Sequence, residues 1–212
     1  QLLASLEEVR HARQGTDMLH TLDLVGTFAF ALSGALLAAR KRMDVFGVIV
    51  LAVAAGLGGG IVRDVLIGAL PPRAITHWAY LATAAAAGLV GFAVPAHLRR
   101  ARRAVLIVDA AGLGAFAVAG AAKALAHGVP PLGAAVIGVG AAGGGGIARD
   151  LLAGEVPVIL HSEIYATPAG VAAAIVAFWS RASAVEIGAA ILATAIRLAS
   201  LRFRWQAPRP RL

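Results

Sequence analysis

The sequence contains 212 residues, of which 59% are apolar and only 14% are charged, and its net charge is +8. Soluble domains have about 45–50% apolar and about 25% charged residues, so this chain lacks the polar residues that a water-exposed surface requires. The composition therefore excludes an ordinary soluble enzyme, a disordered chain and a coiled coil, and it predicts a polytopic membrane protein. Cysteine is absent, which excludes disulfides, thiolate metal sites and cysteine nucleophiles.

Seven apolar segments are each long enough for a membrane-spanning helix, which needs about 20 mostly apolar residues. They are rich in Ala and Leu and lack the alternation of a β-barrel. The predicted fold is therefore an all-α integral membrane protein with seven transmembrane helices. Residues 1–17 are predicted to be an N-terminal tail or a short amphipathic helix, and Arg197 could shorten the last span. The predicted spans are residues 20–39, 45–69, 75–96, 104–126, 132–153, 164–180 and 184–203.

The basic residues between the spans predict the orientation of the chain. With seven spans, 12 Lys and Arg residues fall on one side of the membrane and 5 on the other. The positive-inside rule places the richer side in the cytoplasm. We therefore expect the N-terminus outside and the C-terminus in the cytoplasm.

The sequence also repeats itself with an offset of 86 residues. Residues 23–72 align with residues 109–158 without a gap, and 21 of the 50 aligned pairs are identical. Because each copy holds three spans, the second copy must enter the membrane from the opposite face, which makes an inverted repeat. The predicted organisation is repeat 1 at residues 18–103, repeat 2 at residues 104–180, and a seventh helix with a basic tail at residues 181–212.

A glycine triplet lies inside the second span, and another lies inside the fifth. Glycine costs about 1 kcal/mol relative to alanine inside a helix, so we expect each span to bend or unwind at its triplet and to expose carbonyl groups as candidate cation ligands. The alternative is that the glycines only let helices pack closely. We favour a functional break because the triplets match and each precedes an Arg-Asp pair. The candidate pore or kink residues are Gly58, Gly59, Gly60, Gly144, Gly145 and Gly146.

Charged residues inside the spans follow the same repeat. Such residues are costly in a membrane and usually face the bundle interior or water. We expect one cluster of formal charge −1 near each membrane face, which would favour cations over anions. The alternative is that the charges are ion pairs that hold the helices together, and both roles are compatible. The candidate pore or vestibule charges are Asp23, Arg63 and Asp64 in repeat 1 and Asp109, Arg149 and Asp150 in repeat 2.

Lys123 breaks the repeat, because the equivalent residue is Leu37. A lysine near the end of a span either extends to the lipid headgroups or points into a pore, where it is a candidate for gating cation flow. Aromatic residues near the span ends predict an interfacial belt, and these are Trp78, Tyr80, Tyr165, Trp179 and Trp205.

The remaining polar residues do not indicate an enzyme. The six histidines lack metal-ligand spacing, and neither Ser33 nor Ser162 has a base at a suggestive spacing. We therefore expect no catalysis, no metal, no cofactor and no nucleic-acid partner.

The doubled Gly-Gly-Gly-x-x-Arg-Asp motif, at residues 58–64 and 144–150, resembles the prokaryotic branch of the trimeric intracellular cation (TRIC) channels. The segment at residues 22–34 also resembles that branch, and the resemblance extends over about residues 18–203. It implies a multi-pass protein of the prokaryotic inner membrane and a homotrimer with one pore in each protomer, which conducts K⁺ and, less selectively, Na⁺. The second and fifth helices, kinked at the triplets, would line this pore. Lys123 would be the gating residue, and an anionic membrane lipid is a candidate ligand.

Two functions from different classes fit these patterns. The first is a passive monovalent cation channel, and the alternative is a secondary transporter of a small amino acid such as glycine. Inverted repeats and interrupted helices are typical of transporters as well as of such channels. A non-conducting scaffold is disfavoured, because buried charge without a function is costly.

Overall fold

The computed structural model describes residues 2–94, 102–161, 164–179 and 182–205. The regular elements within these ranges are α-helices joined by short connections. In chain order they are α1 (Leu2–Arg40), α2 (Val45–Leu66), α3 (Arg73–Thr76), α4 (Trp78–Ala93), α5 (Arg102–Ala126), α6 (Pro131–Leu152), α7 (Val158–His161), α8 (Ala166–Phe178) and α9 (Ser183–Phe203).

Five of these helices contain a segment long and apolar enough to cross a membrane. The predicted tail is helical from Leu2 and continues into the first span as one helix, α1. Arg197 does not shorten the last span, because α9 continues past it and buries it completely. The five segments are Met18–Arg40, Val45–Leu66, Arg103–Ala126, Pro131–Leu152 and Ser183–Phe203.

Two further apolar helices, α4 and α8, are shorter than the spans predicted at residues 75–96 and 164–180. They contain 16 and 13 residues, which at 1.5 Å per residue cover roughly 24 and 20 Å of the roughly 30 Å hydrocarbon core. The predicted start of the third span lies in α3 instead. His77, whose backbone is extended, separates α3 from α4.

Six of the helices form two bundles of three. Bundle 1 consists of α1, α2 and α4, and bundle 2 consists of α5, α6 and α8. The bundles meet where α1 packs on α5 and α2 packs on α6, and α9 packs on the outside of α5 and α8. Each bundle has a core of small apolar residues, mostly alanine, which lets the helices approach closely.

α1 and α5 run in opposite directions. The Phe30 ring of α1 stacks on the Phe116 ring of α5, with 5.5 Å between ring centroids. Ser33, which follows Phe30, shares the Arg149 guanidinium with Asp109, which precedes Phe116. The two bundles are therefore arranged head to tail across the contact between them.

Candidate functional site

Cluster 1 is a buried network of charged side chains near the start of the apolar segment Met18–Arg40 of α1 and at the end of α2. The Arg63 guanidinium binds both carboxylate oxygens of Asp23, and its Nε donates to Asp64 Oδ1 at 2.8 Å. Lys123 extends from α5 of bundle 2 and donates to the same Asp64 oxygen at 2.7 Å. The other Asp64 oxygen accepts the backbone N–H of Arg73 at 3.1 Å. The network therefore joins both bundles to the first turn of α3.

Cluster 2 repeats this arrangement at the start of α5 and the end of α6. Arg149 donates to Asp109 Oδ1, and its Nε donates to Asp150 Oδ1 at 2.8 Å. Ser33 extends from α1 of bundle 1 and accepts a hydrogen bond from Arg149 at 2.8 Å. The second Asp150 oxygen accepts the backbone N–H of Val158 at 2.9 Å. The six charges predicted from the repeat thus form two networks with the same Asp-Arg-Asp order, although Arg63 binds both oxygens of Asp23 and Arg149 binds one oxygen of Asp109.

The expectation of charge −1 for each cluster is wrong for cluster 1. Asp23 and Asp64 are balanced there by Arg63 and Lys123, so the four formal charges sum to zero. Lys123 is only 12% exposed and does not extend to the headgroups, because burial against Asp64 replaces contact with lipid. Cluster 2 has no cation in the position of Lys123, since Leu37 occupies the equivalent place. Its three predicted members sum to −1.

The two tyrosines predicted for the interfacial belt are instead buried beside the clusters. Tyr80 is 3% exposed and donates to Asp23 at 3.3 Å, with His20 Nδ1 at 3.2 Å from the same hydroxyl. Tyr165 is 4% exposed, and its ring lies under the guanidinium of Arg197, with 4.9 Å from Cζ to the ring centroid. Tyr80, near the start of α4, thus lies beside Asp23, and Tyr165, just before α8, lies beside cluster 2. The belt prediction was wrong for both tyrosines, whereas Trp78 and Trp179 are exposed.

The glycine triplets lie where α2 crosses α6. Both helices continue through the triplets without interruption, so the expected unwinding and the freed carbonyls are not present. A Cβ at Gly59 would overlap the carbonyl oxygen of Ala141, and a Cβ at Gly145 would overlap that of Ala55. The close-packing alternative therefore describes the contact between these two helices.

A small cavity lies between cluster 1 and the phenylalanine pair. Its volume is about 10 Å³, which is about the size needed for one water. Thr27, Tyr80 and Phe116 line it together with Asp23 and Arg63.

A third ionic contact, between the end of α1 and the segment after α6, was not predicted from the sequence. Arg40 donates to Glu155 Oε1 at 2.6 Å, and Lys41 Nζ lies 3.3 Å from the same oxygen. Partial burial raises the pKa of Glu155, but the two cations outweigh it and hold this pKa below its ordinary value. The internal repeat did not predict this ion pair, because the residue equivalent to Glu155 is Ala69.

Chelation of a metal is not supported by the part of the chain that the structure describes. Within it, no three His, Asp or Glu side chains are grouped as metal ligands. The carboxylates of both clusters are instead engaged by arginine, lysine and backbone N–H groups. The site is therefore a pair of ionic networks on either side of an apolar contact between two bundles.

These features define an all-α integral membrane protein with paired charge clusters buried between its helices. A family model described as Glycine transporter matches residues 20–96 and 106–181. Together with the solved structures below, this match shows that the chain belongs to the prokaryotic TRIC family.

Solved TRIC channels share the fold. The trimeric intracellular cation channel orthologue from Rhodobacter sphaeroides is 38% identical, with a TM-score of 0.81 over 88% of this chain and 98% of that chain. A prokaryotic TRIC channel crystallised in 0.5 M KCl is 29% identical, with a TM-score of 0.80 over 89% of this chain and 98% of that chain. These neighbours are channels and not enzymes.

Membrane proteins of several bacteria are similar over most of their length. A membrane protein of Deinococcus radiodurans is 42% identical over 191 residues, which are 87% of this chain and 88% of the relative. The inner membrane protein YadS of Escherichia coli is 36% identical over 197 residues, which are 90% of this chain and 95% of the relative.

Proposed function

We propose that the protein is a monovalent cation channel whose pore lies inside each protomer, between bundle 1 and bundle 2. The observation that carries this proposal is the pair of matching buried clusters at opposite ends of the α1–α5 contact. Buried charge in a membrane usually marks an ion pathway. The likeness to solved cation channels, over nearly the whole chain, supports the same function.

The proposed topology has seven spans, with α4 and α8 as the short ones. Repeat 1 is residues 18–103, repeat 2 is residues 104–180, and residues 181–212 hold the seventh helix and a basic tail. The opposite directions of α1 and α5 support an inverted repeat. The N-terminus would then lie outside and the C-terminus in the cytoplasm of a prokaryotic inner membrane, with cluster 1 near the outer face and cluster 2 near the cytoplasmic face.

The proposed pore is lined by α2 and α6 at their glycine triplets and reaches water through the two clusters. Because the triplets remain helical, their carbonyls cannot replace the hydration shell of an ion as a K⁺ filter does. We therefore expect K⁺ to pass and Na⁺ to be excluded only weakly. Lys123 is the proposed gating residue, since its bond to Asp64 holds α5 against α2 at the mouth of the pore. A homotrimer, and an anionic lipid near the basic cytoplasmic segments, complete the proposal.

The second candidate function is secondary transport of a small amino acid such as glycine. The description of the matching family model favours it. A transporter would saturate with substrate and respond to a coupling gradient, whereas a channel passes many ions in each opening.

Single-channel recording in planar bilayers with asymmetric KCl tests the proposal. We expect discrete openings with a cation-selective reversal potential. Gly59→Leu combined with Gly145→Leu should abolish or alter them, because both side chains would enter the contact between α2 and α6. Gly140→Ala is the matched control in α6, since a Cβ at Gly140 meets no atom within 4 Å.

Uptake of labelled glycine into liposomes that contain the same protein separates the two candidates. A bilayer that stays silent at all voltages, with anionic lipid present, would contradict the channel. Saturable glycine uptake in that case would establish the transporter.

A further inference from the structure

We propose that the stacked rings of Phe30 and Phe116 form the gate of the pore, as an apolar constriction between the two charged clusters. This inference rests on the proposed channel function. It concerns the point at which the closed pathway excludes ions, whereas Lys123 is proposed to control closure by holding α5 against α2.

The order of residues along α1 and α5 places the pair between the clusters. At 1.5 Å per residue, Asp23 lies about 10 Å before Phe30, and Ser33 lies about 4.5 Å after it. On α5, Asp109 lies about 10 Å before Phe116. Cluster 1 is therefore on one side of the two rings, and cluster 2 is on the other.

Both rings are sealed inside the protein. Phe30 is 0% exposed and Phe116 is 1% exposed, and their planes are 23° apart with 5.5 Å between centroids. Phe116 also lines the water-sized cavity beside cluster 1. A space of about the size of one water thus reaches the ring of Phe116 on the side of cluster 1.

Two glycines hold the rings in this position. A Cβ at Gly26 would lie 3.0 Å from the Phe116 ring, and a Cβ at Gly112 would lie 2.8 Å from the Phe30 ring. Each ring therefore packs on the bare backbone of the opposite helix. A contact of this kind separates when α1 and α5 move apart by a small distance, and no hydrogen bond between the rings has to break.

An apolar constriction stops ions because water leaves it, and a hydrated cation cannot follow. The polarity of the side chains at the constriction, more than their volume, then decides whether water fills the pathway. Leu and Asn have similar size and opposite polarity, so they separate these two properties at one position.

The test is single-channel recording of Phe30→Leu and Phe30→Asn beside the unchanged protein. We expect Phe30→Asn to raise the open probability at least about tenfold, and Phe30→Leu to raise it much less. Phe116→Asn, on the other helix, should behave like Phe30→Asn and serves if that variant does not fold. Size-exclusion chromatography and thermal melting report folding.

Phe28→Ala and Ile107→Ala are the matched controls. Both side chains are exposed on the same two helices, and the period of 3.6 residues per turn places them on the faces opposite the two rings. We expect the open probability of both controls to stay at the unchanged value.

The outcomes separate this inference from the channel itself. If the unchanged protein conducts cations and the Asn variants leave its open probability unaltered, the gate is not at these rings, although the channel stands. If Phe30→Leu opens the channel as much as Phe30→Asn, the rings act through packing and the inference is overturned. Absence of current in every variant contradicts the channel.

Discussion

Clusters 1 and 2 contain an arginine and two aspartates at the same spacing, yet the opposite bundle completes each cluster differently. Cluster 1 receives the ammonium group of Lys123, which bonds to Asp64. Cluster 2 receives the hydroxyl of Ser33, which accepts from Arg149. In the repeat, the residue equivalent to Lys123 is Leu37, and the residue equivalent to Ser33 is Ala119.

This difference shows which part of the site the repeat determines. Pairing of arginine with its two aspartates is common to both copies, and single residues that depart from the repeat set the charge of each cluster. Cluster 1 is neutral, whereas the three repeated residues of cluster 2 sum to −1. If both clusters lie on one pathway, equivalent substitutions in cluster 1 and cluster 2 should have effects of different size.

The largest loss of stability is expected when the arginine of either cluster is replaced. In Arg149→Met, Asp109 and Asp150 lose their shared guanidinium, and breaking a buried ion pair costs about 3–5 kcal/mol. In Arg63→Met, Lys123 still compensates Asp64, so this variant should lose less stability. Thermal melting of both variants in detergent checks the order, and equal or reversed losses would remove the proposed difference between the clusters.

The next largest loss of stability is expected at the contact between α2 and α6, which joins the two bundles between the clusters. Gly145→Ala places a methyl group against the carbonyl of Ala55, and such overpacking typically costs about 1–3 kcal/mol. Gly140→Ala in the same helix enters open space and should be neutral or slightly stabilising, since alanine favours a helix. The difference between the two melting temperatures measures the contact, and similar values would contradict it.

A smaller effect is expected from the two tyrosines. Tyr80→Phe removes a hydroxyl that bonds to Asp23, which should cost about 1 kcal/mol. Among the residues that the structure describes, the Tyr165 hydroxyl has no partner with full hydrogen-bond geometry and interacts more loosely with Asp109, so Tyr165→Phe should cost less. Denaturation of both variants by urea or heat reports the order, and a larger loss for Tyr165→Phe would show that cluster 2 depends on this hydroxyl.

The smallest change in stability is expected from breaking the contact between Arg40 and Glu155. Because the pKa of Glu155 in the folded protein lies below its ordinary value of 4.5, the carboxylate stabilises the fold above that pH and loses its contribution as the pH falls below it. The pair is partly exposed, so its contribution is at most about 1 kcal/mol. Melting curves of Glu155→Gln and the unchanged protein should differ at pH 7 and converge in acid. A difference between the two melting temperatures that stays constant with pH would mean that the charge of Glu155 is not its cause.

The sequence patterns identified the repeated charged residues, but they did not identify the residues from other helices that bind to them. The offset of 86 residues identified all six members of the two Arg-Asp networks, because repeated residues in equivalent spans occupy equivalent places. It could not identify Lys123 as a partner of Asp64, since Lys123 itself departs from the repeat, where its equivalent is Leu37. Tyr80 and Tyr165 were misassigned because an aromatic residue near a span end looks the same whether it faces lipid or a buried carboxylate.

The helix boundaries show a similar limit. Composition predicted the long helices well, because 20 apolar residues leave few alternatives in a membrane. The interruption at His77 depends on a backbone conformation that hydropathy does not report. The uninterrupted triplets in α2 and α6 arise because the helices support each other there, which outweighs the low helix propensity of glycine.

The most direct test of the central claim, that the pathway runs between the bundles through cluster 1, uses the absence of native cysteine. Thr27→Cys places a thiol in the cavity beside cluster 1, whereas Phe28→Cys places one on the adjacent lipid-facing residue. Single-channel current is recorded before and after a cationic, membrane-impermeant thiol reagent is added to the outer side. We expect block of Thr27→Cys and no change in Phe28→Cys. A cation current through Thr27→Cys that the reagent leaves intact would contradict the claim and place the pathway elsewhere.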